Sequence, residues 1–292
     1  MLSRTVDIDG PVHYHDFGGS GPPLVCVHGL GGAAINWMAV GHELGRRYRV
    51  LAPDLRGFGE TPLGNRDSTI DSNQRLLDRF IREVAGSAAV LVGNSMGGLL
   101  STLQAARHPE TVSAAVLADP ALPWLLRRRL DVPIWTFFGA ILVPGLAEWQ
   151  LRRRSQRLGP DRIAAQTLAI CTVDPLRVPE HVREAHLELA RRRADRADGE
   201  RALAQAARSL LRMLARPRSF SSVYRSVRAP VMIMHGERDR LVPVQSSLAI
   251  GRRYGWPVEV IPDVGHIPML EVPERFVGLT LGWLDRSLSA AV

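Results

Sequence analysis

The sequence predicts an α/β chain: a mostly parallel sheet flanked by helices and interrupted by an all-helical insertion. Short apolar runs alternate with helical stretches up to residue 119, stop over 120–228, and resume from 229. Several of these runs are continuously apolar, as expected of strands buried on both faces. A third sign is Gly93-Asn94-Ser95-Met96-Gly97, a G-x-S-x-G pattern set between a strand and a helix.

The elements follow in order. Thr5–Ile8 and Val12–Tyr14 flank Asp9-Gly10-Pro11 and read as a hairpin. Leu24–His28 and Tyr48–Ala52 are buried strands. Ser68-Thr69-Ile70-Asp71 is a capping-box pattern, and the helix behind it places Ile70, Leu77, Ile81 and Val84 on one face. Strand 89–93 leads into a helix over 98–107, closed by His108 before Pro109. Ala114–Leu117 is the sixth strand. Residues 121–228 are rich in Arg, Leu and Ala, with Pro and Gly breaks and no strand signal. Strands return at Val231–Met234 and Val258–Ile261. A last helix starts at Pro273, a favoured first helical position, with Phe276, Leu279, Trp283 and Leu284 on its apolar face. The predicted division is a core of 1–119 and 229–292 with a helical cap of 120–228, too long for a simple loop.

Composition excludes several classes. The 292 residues are 46% hydrophobic and 23% charged, which is ordinary for a globular chain with a sizeable core. The net charge is +8, and every one of the 37 basic side chains is arginine. Nucleic-acid binding would interleave basic residues with aromatics. Here the arginines cluster as the triplets 127–129, 152–154 and 191–193, which suits solvated helix faces or an anionic surface. Two cysteines make no disulfide framework, and the N-terminus shows no apolar signal region, so a reduced, cytoplasmic setting is expected. Val132–Ala147 is apolar but short, and Pro133, Pro144 and Gly145 break it, so it reads as a lid segment rather than a membrane span. Neither a metal cluster nor a dinucleotide fingerprint is present. His28-Gly29-Leu30-Gly31-Gly32 lacks the Gly-Lys-Ser/Thr ending of a phosphate loop.

Five motifs together resemble the α/β-hydrolase superfamily, in its helical-cap branch of esterases and lipases. They are His28–Gly32 after the third strand, Asp54-Leu55-Arg56-Gly57-Phe58-Gly59 after the fourth, the elbow Gly93–Gly97 after the fifth, and two late loops, Gly236–Pro243 and Asp263–Pro268. The resemblance implies an α/β-hydrolase fold, no cofactor, and a triad in the order Ser…Asp…His. Ser95 would be the nucleophile and His266 the base that activates it. Asp239 would orient the imidazole. Asp119, at the end of the sixth strand, and Glu237 are rival acids. Asp119 otherwise caps the turn into the insertion. The backbone N–H groups of Leu30 and Met96 would form the oxyanion hole. His28, Gly29, Gly93 and Gly97 would support those loops, and Arg56 would tie neighbouring loops together. His13, His15, His42, His181 and His186 lack a motif and are expected to be structural or on the surface, while His235 stays open.

Ser95 replaces the aspartate that epoxide hydrolases and haloalkane dehalogenases of this fold use, which removes both chemistries. Carbon–carbon bond hydrolases share the elbow form Gly-Asn-Ser-Met-Gly-Gly but usually carry Trp after the histidine, where Ile267 stands here. Their oxyanion loop also tends to hold a proline that His28–Gly32 lacks. They stand as the alternative, beside acyltransferases and perhydrolases that use the same acyl-enzyme. A non-catalytic binding member would have lost a triad residue, and none is lost. Trp124, Trp135, Phe137, Phe138 and Trp149 in the cap suggest an apolar acyl pocket and a hydrophobic, lipid-like ester, with peripheral membrane contact through the cap open.

Overall fold

The computed structural model describes residues 1–123, 145–194, 196 and 198–289. Eight strands form one sheet: β1 (Leu2–Asp7), β2 (Pro11–Gly18), β3 (Pro23–Val27), β4 (Arg49–Pro53), β5 (Ala89–Asn94), β6 (Val112–Ala118), β7 (Val231–Gly236) and β8 (Val258–Ile261). Their spatial order is β1-β2-β4-β3-β5-β6-β7-β8. β1 and β2 pair antiparallel, β2 joins β4 antiparallel, and every later pair is parallel.

The continuous apolar runs are explained by two cores. On β3, β5, β6 and β7 successive side chains point to opposite faces. Val25, Val27, Leu91, Ala115, Leu117 and Ile233 enter one core. Leu24, Cys26, Val90, Val92, Val116 and Met234 enter the other. Helices α2 (Ile70–Phe80) and α3 (Met96–Arg107) cover the first face. Helix α1 (Met38–Leu44) and the C-terminal helix cover the second.

Between β6 and β7 the described chain is helical: α4 (Leu146–Cys171, kinked at Gly159), α5 (Glu180–Arg193), α6 (Gly199–Leu214) and α7 (Phe220–Ser226). Three more follow: α8 (Val244–Tyr254), α9 (Pro268–Glu271) and α10 (Pro273–Ser289). The segment from Trp124 to Pro144, with Trp135, Phe137 and Phe138, lies outside the described residues. No helix among the described residues is long and apolar enough to cross a membrane.

One local detail differs from the sequence expectation. The N-cap of α2 is Thr69, whose Oγ1 accepts from Ser72 N at 3.2 Å, one residue later than the capping-box pattern places it. Ser68 instead donates its hydroxyl to Arg56 O at 2.8 Å. Trp149 is 55% exposed, stacks under the Arg153 guanidinium at 5.2 Å, and lines a surface groove of about 360 Å³ with Arg154 and Arg157.

Candidate active site

Ser95 stands at the C-terminal end of β5, the strand between β3 and β6. It has φ 53° and ψ −116°, a conformation that costs an ordinary residue about 1–3 kcal/mol and persists only where its surroundings impose it. Here they do. Ser95 N donates to Ala118 O at 2.9 Å, and Ser95 O accepts from Leu99 N and Ala121 N. The flanking glycines are required by space: a Cβ on Gly93 would lie 2.4 Å from Gly97 O, and one on Gly97 would lie 2.0 Å from Val27 O. The turn therefore presses β5, β3 and α3 together with Ser95 at its apex.

Helix α3 begins at Met96, so the Met96 N–H is one of the orphan donors of a helix N-terminus, where the dipole favours negative charge. The loop after β3 comes close to the same point. A Cβ on Gly29 would be 3.0 Å from Ser95 Cβ. His28 fixes this loop from below. Its Nδ1–H donates to Gly29 O at 2.8 Å and its Nε2 accepts from Leu55 N at 3.0 Å, which defines a neutral tautomer. Complete burial holds the His28 pKa down, consistent with that state. Leu30, farther along the loop, packs against the small cluster of Ala204 and Ala207 of α6 and Ala147 of α4.

The two late loops meet. His266 Nδ1 and Asp239 Oδ2 are 2.7 Å apart, with the Asp239 side chain fully buried. Asp239 Oδ1 accepts from Leu241 N at 2.7 Å and Val242 N at 3.1 Å. Burial disfavours its charge, but attraction to His266 and hydrogen bonds from His235 and His266 outweigh burial and keep its pKa below the usual carboxylate range. Nδ1–H of His266 is therefore directed at a carboxylate, leaving Nε2 as the basic nitrogen.

No hydrogen bond within 3.5 Å joins Ser95 Oγ to His266 among the described residues. The link runs through Asn94, whose Nδ2 donates to His266 O at 2.9 Å and Ala118 O at 3.2 Å. In a free site such catalytic contacts are commonly long and tighten with substrate. His266 N donates to Cys171 O at 2.7 Å, which ties the histidine loop to the end of α4. Glu271 strengthens that tie by accepting from Gly265 N at 2.8 Å and Val173 N at 2.9 Å.

Neither rival acid bonds the His266 ring. Glu237 is exposed and accepts from Asp263 N. Asp119 is fully buried and caps no turn into the insertion; its Oδ1 accepts from Gly236 N of β7 at 2.8 Å. His235 is a buried bridge, with Nδ1 at 2.8 Å from Ser247 Oγ and Nε2 at 3.0 Å from Val242 O. His13 bonds Asp54 Oδ2 at 2.7 Å, and His15 is buried beside it, its pKa lowered to about 4 by burial and the His13 ring. His42 and His181 are exposed, and half-buried His186 has its pKa lowered to about 4 by burial. Arg56 ties loops as expected, to Ser72 Oγ at 2.9 Å and Asp9 at 3.3 Å. Asn94, Glu271 and His235 carry no sequence signal of their roles, because each acts through a contact more than a hundred residues away or through a buried neighbour.

Comparison with known proteins follows the same lines. Residues 24–279 match the alpha/beta hydrolase family. The chain is 30% identical over 299 residues to a 2-hydroxymuconate semialdehyde hydrolase of Pseudomonas sp. strain CF600, covering 95% of this chain and 92% of that protein. It is 26% identical to a pimeloyl-[acyl-carrier protein] methyl ester esterase of Aeromonas hydrophila, covering 89% and 94%. Among solved structures, a thermophilic esterase from Thermogutta terrifontis superposes with a TM-score of 0.70 at 26% identity, covering 98% and 99% of the two chains. With its strand order, its strained serine at the end of β5 and a family match across most of its length, this chain belongs to the alpha/beta hydrolase family.

Proposed function

We propose that the protein cleaves hydrophobic carboxylic esters through an acyl-enzyme on Ser95. His266 Nε2 takes the Ser95 hydroxyl proton as Oγ attacks the ester carbonyl carbon. The developing oxyanion is held by the N–H groups of Leu30 and Met96, each worth about 2.7–4 kcal/mol where such donors have been removed. Collapse breaks the ester C–O bond, and the alkoxide leaves with the proton from His266. Water, deprotonated by the same nitrogen, then hydrolyses the acyl-Ser95. Asp239 orients the ring and stabilises the imidazolium throughout. The observation that carries this reading is the 2.7 Å His266–Asp239 bond on a loop tied to the elbow by Asn94.

We assign residues 120–228 to a helical cap that selects the acyl group, since α6 packs directly on Leu30. In the 191–193 triplet, Arg191 pairs with Asp161, Arg192 with Glu60 and Glu188, and Arg193 donates to Gly57 O. Among the described residues, the basic face offered to a membrane is that of α4, around Trp149.

A second reading, carbon–carbon bond hydrolysis, is favoured by the semialdehyde hydrolase relative, because a hydroxymuconate semialdehyde contains no ester to cleave. One panel separates the two. Purified protein is offered p-nitrophenyl esters of graded acyl length and a vinylogous 1,5-diketo acid. The ester reading expects turnover rising with acyl length and no cleavage of the diketo acid. Cleavage of the diketo acid with esters idle would overturn it.

A further inference from the structure

Beside the triad carboxylate lies a second one that the proposed chemistry does not use. Asp119 ends β6 at φ 46° and is fully buried. One oxygen of Asp119, one of Asp239 and a ring nitrogen of His235 all lie within 4.8 Å of one another. The separations to His235 Nε2 are 3.7 Å from Asp119 and 3.3 Å from Asp239. The other titratable groups facing this cluster are His266, bonded to Asp239, and Cys171, whose thiol is pushed up to about 12 by burial and then by the two aspartates. Among the described residues no arginine contacts either carboxylate, so two buried negative charges here would have to be balanced by the histidine rings.

Counting donors decides which aspartate keeps a proton. Asp239 receives Leu241 N, Val242 N and His266 Nδ1, with His235 Nε2 also within 3.3 Å. Asp119 receives Gly236 N on Oδ1 alone, and its Oδ2 is buried with no donor. An ionised Asp119 would leave that oxygen bare, at the full cost of an unsatisfied buried charge. A protonated Asp119 instead carries a hydroxyl that can donate, and the Asp239 carboxylate lies within 4.8 Å of it. Burial, together with the Asp239 carboxylate, raises the Asp119 pKa well above the carboxylate range. Burial also works against a charged His235 ring, although the two aspartates outweigh it. One proton is thus contested by Asp119 and His235. The neutral ring is already satisfied: Nε2–H points to Val242 O and Asp239, and Nδ1 accepts from the Ser247 hydroxyl. The proton therefore belongs on Asp119.

We propose that Asp119 is a positioning residue that stays neutral and donates its Oδ2–H to Asp239, fixing the carboxylate that orients His266. The catalytic part of this inference rests on the triad proposed above; the protonation state does not.

Infrared difference spectroscopy on the whole protein at neutral pH tests the proton directly. Wild type is expected to show a protonated-carboxyl C=O stretch that Asp119→Asn lacks. In kcat/KM profiles on a p-nitrophenyl ester, Asp119→Asn, whose amide can still donate, keeps the acid limb in place with a modest loss of kcat. Asp119→Leu loses kcat by about ten- to a hundredfold with KM little changed. The proposal is overturned if the stretch is missing from wild type. It is overturned equally if the Asn variant moves the acid limb down by about one pH unit, the mark of removing a real negative charge near His266. Failure of the triad reading itself looks different: wild type would resist a fluorophosphonate probe while the infrared band remained.

Discussion

At the scale of single residues, function depends on which polar atoms the fold leaves without partners. Met96 N–H is an orphan of α3, and His266 Nε2 is free because Nδ1 is spent on Asp239. Substituting Asp239 with Asn keeps the shape but favours the wrong tautomer, and kcat is expected to fall by about 10⁴-fold. Glu237→Gln, on the exposed side of the same loop, is expected to leave ester turnover within twofold, as about 0.4 kcal/mol in the barrier allows. Equal losses from the two substitutions on a p-nitrophenyl ester would refute the assignment of the acid. The proposed triad of Ser95, His266 and Asp239 could be picked out of the chain because each residue sits in a short local motif beside a strand end. The environment of Asp119 was not: its burial arises only when β6, β7 and the Gly236–Pro243 loop converge. Asn94 was equally silent, since its partner His266 is 172 residues away.

At the scale of elements, the loop after β4 is a knot rather than a catalytic part. Asp54 accepts from Ala34 N at 2.6 Å, Glu60 N at 2.8 Å and His13 Nδ1 at 2.7 Å, joining three segments beneath the oxyanion loop. Asp54→Ala strips a buried charged partner and is expected to cost about 3–5 kcal/mol in chemical denaturation. Burial alone would raise the Asp54 pKa, but the His13 bond, the nearby His28 and the two backbone donors outweigh burial and lower it. A carboxylate with a depressed folded pKa contributes stability above its unfolded pKa, and that stability is lost as pH falls toward the folded value. Thermal melts should therefore be flat near neutrality and decline below about pH 4, less steeply in Asp54→Asn. A melt unchanged at acid pH would contradict this account. Thr69→Ala is expected to cost about 1 kcal/mol through the cap of α2. The inner strands β3 to β7 could be read because strands buried on both faces are written as apolar runs, whereas exposed β1 and its neighbour β2 were readable from the Asp9-Gly10-Pro11 turn between them. The capping residue could not be fixed, since Ser68 and Thr69 both fit locally and the choice is made by Arg56 O capturing the Ser68 hydroxyl.

At the scale of the whole molecule, the helices between β6 and β7 are fastened to the rest of the chain at several places, through Asp198, Gln205 and Ser209 to the segment Leu63–Ile70 among others. Arg193 and Arg196 donate to Gly57 O, Gly59 O and Thr61 O, while Cys171 O and Glu271 hold the histidine loop. The arginine runs that the sequence offered as a surface charge are thus partly internal clamps, a role composition cannot distinguish from a solvated face. Arg196→Ala is expected to speed proteolytic nicking within 145–226 while the melting of the sheet stays within about 1 °C, because an exposed or half-exposed tie contributes little to global stability. Unchanged nicking would show that the clamp is not needed. The central claim, that this fold exists to present an activated Ser95, is tested most directly by labelling the intact protein with a fluorophosphonate and mapping the modified peptide. The account predicts one adduct, on Ser95, absent from Ser95→Ala and slowed in Asp239→Asn. A well-folded wild type that stays unlabelled, or that labels at another residue, would contradict it.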